Sequence, residues 1–153
     1  MLRTITGFRQ DEVGDWVAEL SCLHDQHMRH RPPFQDRPWV VSAAGRAGRV
    51  GAEVDCPLCD RAELPAGLAV VRTLGPFDEE TVPPGLRRAH RIPAGTWGLL
   101  RVRAGSLELR MDTAPPTERR LVGGDCHPIP PGVDHDVTTS GPVQLQVELL
   151  RRP

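Results

Sequence analysis

Gly124-Asp125-Cys126-His127-Pro128-Ile129-Pro130-Pro131-Gly132-Val133-Asp134-His135 reads as a short strand, a sharp bend and the start of a second strand. Gly124 closes a turn, Cys126 to Ile129 can run extended, and Pro130-Pro131-Gly132 bend the chain. His135 is thereby delivered to the mouth of whatever the strands enclose. Within this stretch Cys126 is expected to be a small buried thiol, and His127, next to Pro128, to be exposed. Outward from it, short strands recur. Ala69 to Leu74 reads as one strand, and Thr96 to Arg103 with Ser106 to Asp112 as a hairpin across Ala104-Gly105. Leu86 to Ile92 reads as extended, after an acidic, proline-bearing loop from Gly75 to Gly85. Val143 to Leu150 closes the pattern, with Val143, Leu145, Val147 and Leu149 alternating against Gln144, Gln146 and Glu148. Repeated strands and turns of this kind predict a mainly β fold, a sandwich or barrel of jelly-roll type.

The chain has 153 residues, enough for one ordinary domain or two small ones. Its 19 basic and 20 acidic residues leave a formal net charge of −1, which makes no electrostatic case for nucleic acid or an anionic membrane as partner. Every basic residue is Arg, and the arginines are scattered. No apolar run approaches a membrane span, and the first residues lack a signal-peptide core. The expected location is therefore the cytosol, where the 4 cysteines stay reduced and act as metal ligands or buried thiols. The 16 Pro and 15 Gly favour short strands and turns over long helices.

Residues 1–64 carry most of the Cys/His character. Thr4 to Arg9 and Asp15 to Cys22 read as two strands joined through Asp11-Glu12-Val13-Gly14, and a helical piece is expected around Ala43-Ala44-Gly45-Arg46. Cys56-x-x-Cys59 is a half-site of the kind zinc uses, and Cys22-x-His24 upstream supplies the other two corners of a tetrahedron. His27 and His30 compete with His24 for the fourth position. The bland alternative is that the histidines face solvent and Cys56-Pro57-Leu58-Cys59 is an empty or redox-active thiol pair. A small β-hairpin-containing domain of this length needs a staple, and a structural zinc provides one. Leu64-Pro65-Ala66-Gly67 is the expected linker, so the second domain spans 65–153.

Both halves resemble known families. Ile5-Thr6-Gly7-Phe8, Gly14-Asp15-Trp16-Val17-Ala18-Glu19-Leu20, Cys22 with His24, Gln26-His27, Arg29-His30, Pro32-Pro33, Arg37-Pro38-Trp39 and Cys56-Pro57-Leu58-Cys59 resemble an uncharacterised family of short bacterial Cys/His domains. That family prefers Gly where this chain has Leu23. Cys-x-His with Cys-Pro-x-Cys is also similar to the second zinc site of RING domains, although the rest of that pattern is absent. The second half is similar to small cupins named after the tellurite-resistance protein TehB and the related YeaR proteins. The carrying residues are Phe77 to Leu86, His90 with Ala94-Gly95-Thr96-Trp97-Gly98, Ile129-Pro130-Pro131-Gly132 with His135, and Gly141 to Glu148. The resemblance implies a cupin barrel, a link to metalloid and nitrosative or oxidative stress, and a homodimer.

The usual first cupin motif has two histidines one residue apart and then a glutamate. Here His90 stands alone, Ile92 fills the second place and Gly98 stands where glutamate is expected. A site built from His90, His135 and Glu148 would suit a divalent Zn, Fe or Mn ion, with Gln146 as a neighbour and Asp134 and Asp136 flanking His135. Two functions follow from this reading. One is a metal-dependent enzyme, an oxygenase, isomerase or hydrolase using His90, His135 and Glu148. The other, favoured by the depleted first motif, is a binding or sensing module for a metal, a metalloid anion or a small molecule, with no assignable catalytic residue.

Overall fold

Ile5, Val17, Ala18 and Leu20 are buried, and the first sheet forms around them. The computed structural model describes residues 1–153. It divides into two units, residues 2–57 and residues 58–153 with Met1. In the first, β1 (Leu2–Gln10), β2 (Trp16–Leu20), β3 (Asp25–Met28) and β4 (Glu53–Asp55) make an antiparallel sheet in the order β3-β2-β1-β4. The connection after β1 is the expected turn: Asp11 Oδ1 accepts from the Val13 and Asp15 amides at 3.0 and 2.8 Å, and Gly14 has φ +85°. A short helix, α1 (Ala43–Ala47), starts at Ser42, whose Oγ accepts from the Gly45 amide at 3.0 Å. α2 (Pro57–Asp60) begins with proline, whose missing N–H costs nothing at a helix start.

The second unit is a curled, barrel-like sheet of β5 (Ala69–Phe77), β6 (His90–Arg91), β7 (Trp97–Met111), β8 (Thr117–Val122), β9 (Cys126–Ile129), β10 (Asp134–Thr138) and β11 (Val143–Arg151). Its order is β5-β11-β7-β10-β6, with β8 and β9 also paired to β7. The expected hairpin at Ala104-Gly105 is absent, because β7 runs straight through. Its first half pairs with β11 and β9, and its second half with β8 and β10. Gly105, at φ +74°, lets the strand pass from one wall to the other; a Cβ there would overlap the Pro142 carbonyl. The segment Leu86 to Ile92 is also not simply extended: Pro84–Arg87 is a 3-10 turn before β6.

Inward-facing residues follow the strand period. Leu100, Val102, Leu107, Leu109 and Met111 of β7 meet Val143, Leu145 and Val147 of β11 in one apolar core. Leu121, Ile129 and Val137 bring β8, β9 and β10 to the same core. No helix is long and apolar enough to cross a membrane.

Candidate functional site

The central strand β1 gathers the Cys/His residues of the first unit. It pairs with the end of β2 through Ile5↔Leu20 and with the end of β4 through Leu2↔Asp55. The segments after β2 and β4 therefore emerge on the same side, carrying Cys22 and Cys56. After β2 the chain turns in three residues, Ser21-Cys22-Leu23, between Leu20 and His24. The Leu20 amide donates to the His24 carbonyl at 3.0 Å, and the Leu23 amide to the Leu20 carbonyl at 2.8 Å. Such a loop ends in a left-handed residue, here Leu23 at φ +69°. That requirement is why glycine suits this position, and Leu23 occupies it at a conformational cost. The turn places Cys22 and His24 side by side. Gln26 then donates to the Asp55 carbonyl at 3.3 Å, tying β3 to the residue before Cys56.

The result is a buried quartet of Cys22, His24, Cys56 and Cys59, whose ligand atoms all lie within 4.8 Å of one another. His24 Nδ1 is 3.5 Å from Cys22 Sγ and 3.4 Å from Cys56 Sγ, and the two sulfurs are 3.9 Å apart. A tetrahedral zinc with Zn–S of about 2.3 Å and Zn–N of about 2.0 Å sets S···S near ~3.8 Å and S···N near ~3.5 Å. The three separations among Cys22, His24 and Cys56 are those edges, and Cys59 lies within 4.8 Å of the others, so the donor set fits zinc. All four residues are below the surface, which suits a closed, structural ion.

The other two histidine candidates lie apart from this quartet. His27 Nε2 is 2.9 Å from Asp11 Oδ2 on the hairpin surface. His30 Nδ1 accepts from the Arg37 amide at 3.1 Å. Strand alternation explains the split: His27 sits in β3 with its side chain on the exposed face, while Met28 turns inward.

In the barrel, β6 pairs with β10 in the register His90↔His135 and Arg91↔Asp134. Opposed residues share a face, so the two imidazoles meet edge to face with centroids 5.2 Å apart. They line a cavity of about 240 Å³ whose walls include Leu74, Ile92, Leu100, Ile129, Val137 and Val147. His135 is 2% exposed, and its Nδ1 donates to the Val133 carbonyl at 3.0 Å. Because a carbonyl only accepts, Nδ1 carries the proton and Nε2 keeps its lone pair in the neutral ring. Burial pushes the His135 pKa below its ordinary value, and His90 adds to the effect. Arg91 donates to both carboxylate oxygens of Asp134, at 2.7 Å each, so its charge is already matched. Asp136 lies 3.9 Å from Arg110.

The expected third ligand is elsewhere. Glu148 accepts from Arg101 Nε at 2.9 Å and from Gln146 Nε2 at 3.1 Å, on the face of β11 opposite Val147. Both Glu148 and Gln146 therefore miss the cavity, as period-two alternation dictates. Ile92 and Gly98 also close off the first-motif positions, since a Cβ on Gly98 would overlap Ile92 Cδ1. Two smaller expectations reverse. Cys126 is exposed, whereas His127 is partly buried with its Nε2 enclosed and unpartnered. Burial lowers the His127 pKa, with Arg119 contributing. The signal for both was available in register: His127 opposes the inward Leu100, and Cys126 opposes Arg101.

Residues 6–63 match the family described as a protein of unknown function, DUF3565, and residues 72–147 match the TehB-like domain. No curated protein matches the chain. Among solved structures, the crystal structure of a protein from Escherichia coli (strain K12), a structural genomics target, aligns with a TM-score of 0.54 at 17% identity. The alignment covers 60% of this chain and 97% of that one, and it is a likeness of fold. The two matches follow one another along the chain, the DUF3565 model first and the TehB-like model second.

Proposed function

We propose that this protein is a zinc-stapled, non-catalytic binding or sensing module that serves a cytosolic stress response of the tellurite-resistance kind. The observation that carries the zinc assignment is the buried quartet of Cys22, His24, Cys56 and Cys59, with tetrahedral edge lengths among the first three. Bound zinc would supply a closed, four-ligand junction for a short sheet with little core of its own, and it would have no open position for chemistry. The TehB-like match supports the stress connection. The barrel supports binding over metal-dependent catalysis because His90 and His135 lack a carboxylate partner on their own face. A homodimer is part of the proposal, read by light scattering.

Metal content by mass spectrometry, on protein purified without chelator or affinity tag, tests the assignment. One zinc per chain is expected in the wild type and in His90→Ala with His135→Ala, and none in Cys56→Ser with Cys59→Ser. A second ion lost only from the histidine variant would overturn the non-catalytic reading in favour of a barrel metalloenzyme. No metal in any of the proteins would refute the zinc site.

A further inference from the structure

The barrel cavity joins a wall of hydrocarbon to one buried polar side chain, His135, with the exposed His90 and Arg91 also on its lining. Leu74, Ile92, Leu100, Ile129, Val137 and Val147 supply carbon on most sides. His135 Nδ1 is held by the Val133 carbonyl, which leaves Nε2 as the ring nitrogen free to accept a hydrogen bond from an occupant. An oxyanion gains nothing here, because the nearest cation, Arg91, is already matched by Asp134 at 2.7 Å. A cavity of ~150 Å³ with apolar walls stays dry and accepts benzene. The space here, about 240 Å³, takes a single ring with a few further heavy atoms. An apolar pocket with few, fixed polar groups is the usual form of a small-molecule site.

We infer that the barrel binds, without a metal ion, a small neutral molecule with a hydrocarbon body and one hydroxyl. The body fills the apolar space and the O–H donates to His135 Nε2. This rests on the reading of the barrel as a binding module and names the class of its ligand. His90, on the neighbouring strand and exposed, stands at the mouth with its ring edge-to-face against His135. The hydroxyl sets orientation, since a buried acceptor left unpaired is unfavourable and an apolar isostere cannot pair it.

Calorimetric titration of the full zinc-loaded chain with 4-methylphenol and with toluene tests this, with zinc content measured on the same sample. The phenol is expected to bind more tightly than toluene by roughly five- to tenfold, the worth of one net hydrogen bond. In His135→Phe that preference should vanish while toluene still binds, and in Val147→Phe, which fills the cavity, both ligands should be lost. Because either variant can fail to fold, the wild-type His135 Nε2 ¹⁵N resonance gives an independent reading. It should move on adding 4-methylphenol and stay in place with toluene. Wild type that carries one zinc yet binds neither compound overturns the inference and leaves the zinc assignment standing. An equal affinity for the two, or binding that needs a second equivalent of divalent metal, also overturns it.

Discussion

The two histidine-bearing regions of this chain differ in what surrounds the imidazoles. Around His24 three thiols gather, those of Cys22 and Cys56 at tetrahedral spacing, and every donor is buried. In the barrel His90 and His135 meet each other and a ring of aliphatic side chains. The difference shows that histidine placement alone does not make a metal centre. What decides is whether the neighbouring strand faces supply enough further donors. In the barrel those positions hold Ile92 and Gly98, which fit against one another, and Glu148 is turned to Arg101. One region gathers four buried donors that could hold an ion, and the other encloses a space walled mostly by hydrocarbon.

The largest effect expected concerns the first region. Replacing Cys56 or Cys59 by serine should abolish zinc binding and destabilise residues 2–57 by more than about 4 kcal/mol, seen as loss of hydrogen-exchange protection in β1 and β2. His27→Ala and His30→Ala should retain one zinc each. Zinc lost from either would break the contrast between His24 and its neighbours. Next, Gly98→Ala should lower barrel stability by about 1–3 kcal/mol in urea unfolding, because the new methyl meets Ile92. Adding Ile92→Ala should cost less than the sum of the two single changes, since the residues touch.

Acid should separate the regions further. Burial is the main cause that lowers the His135 and His127 pKa values in the folded barrel, while the unfolded chain protonates near the ordinary value of 6.5. The unfolded state therefore takes up protons first as pH falls, and barrel stability drops progressively below about pH 6.5. Above that value the contribution is fully present. Urea midpoints between pH 8 and 5 read the slope, which His135→Phe should make shallower. The smallest effect concerns Leu23. Giving the left-handed turn position its preferred residue, by Leu23→Gly, should raise thermal stability by up to about 1 kcal/mol with zinc content unchanged. A loss of zinc in that variant would mean that the leucine side chain, not the turn, positions Cys22 and His24.

Much of this is legible in the sequence. The strand alternation of residues 143–149, the turn at Asp11 to Gly14 and the pairing of Cys22-x-His24 with Cys56-x-x-Cys59 all follow from local rules of period, turn chemistry and ligand spacing. Glu148 is instructive, because its alternation with Val147 already faced it away from the core. A ligand set with His90 and His135 needs it facing inward, whereas the period turns it toward Arg101. The hairpin expected at Ala104-Gly105 failed for a different reason. A glycine at positive φ serves a tight turn and a bend within a strand equally well, and only the partners along β7 decide between them.

The sequence by itself determined the mainly β class, the Cys/His half-sites and the lack of further donors beside His90, where Ile92 and Gly98 stand, since each depends on residues close together in the chain. Only the tertiary structure decided which histidine joins the thiols. Three histidines within ten residues are chemically equivalent until β1 pairs with both β2 and β4 and brings their ends together. The same holds for the cavity: His90 and His135 are 45 positions apart, and only the antiparallel register of β6 and β10 sets their rings against each other. Long-range pairing selects among local possibilities because a strand has two faces, and its partner's register fixes which one is enclosed.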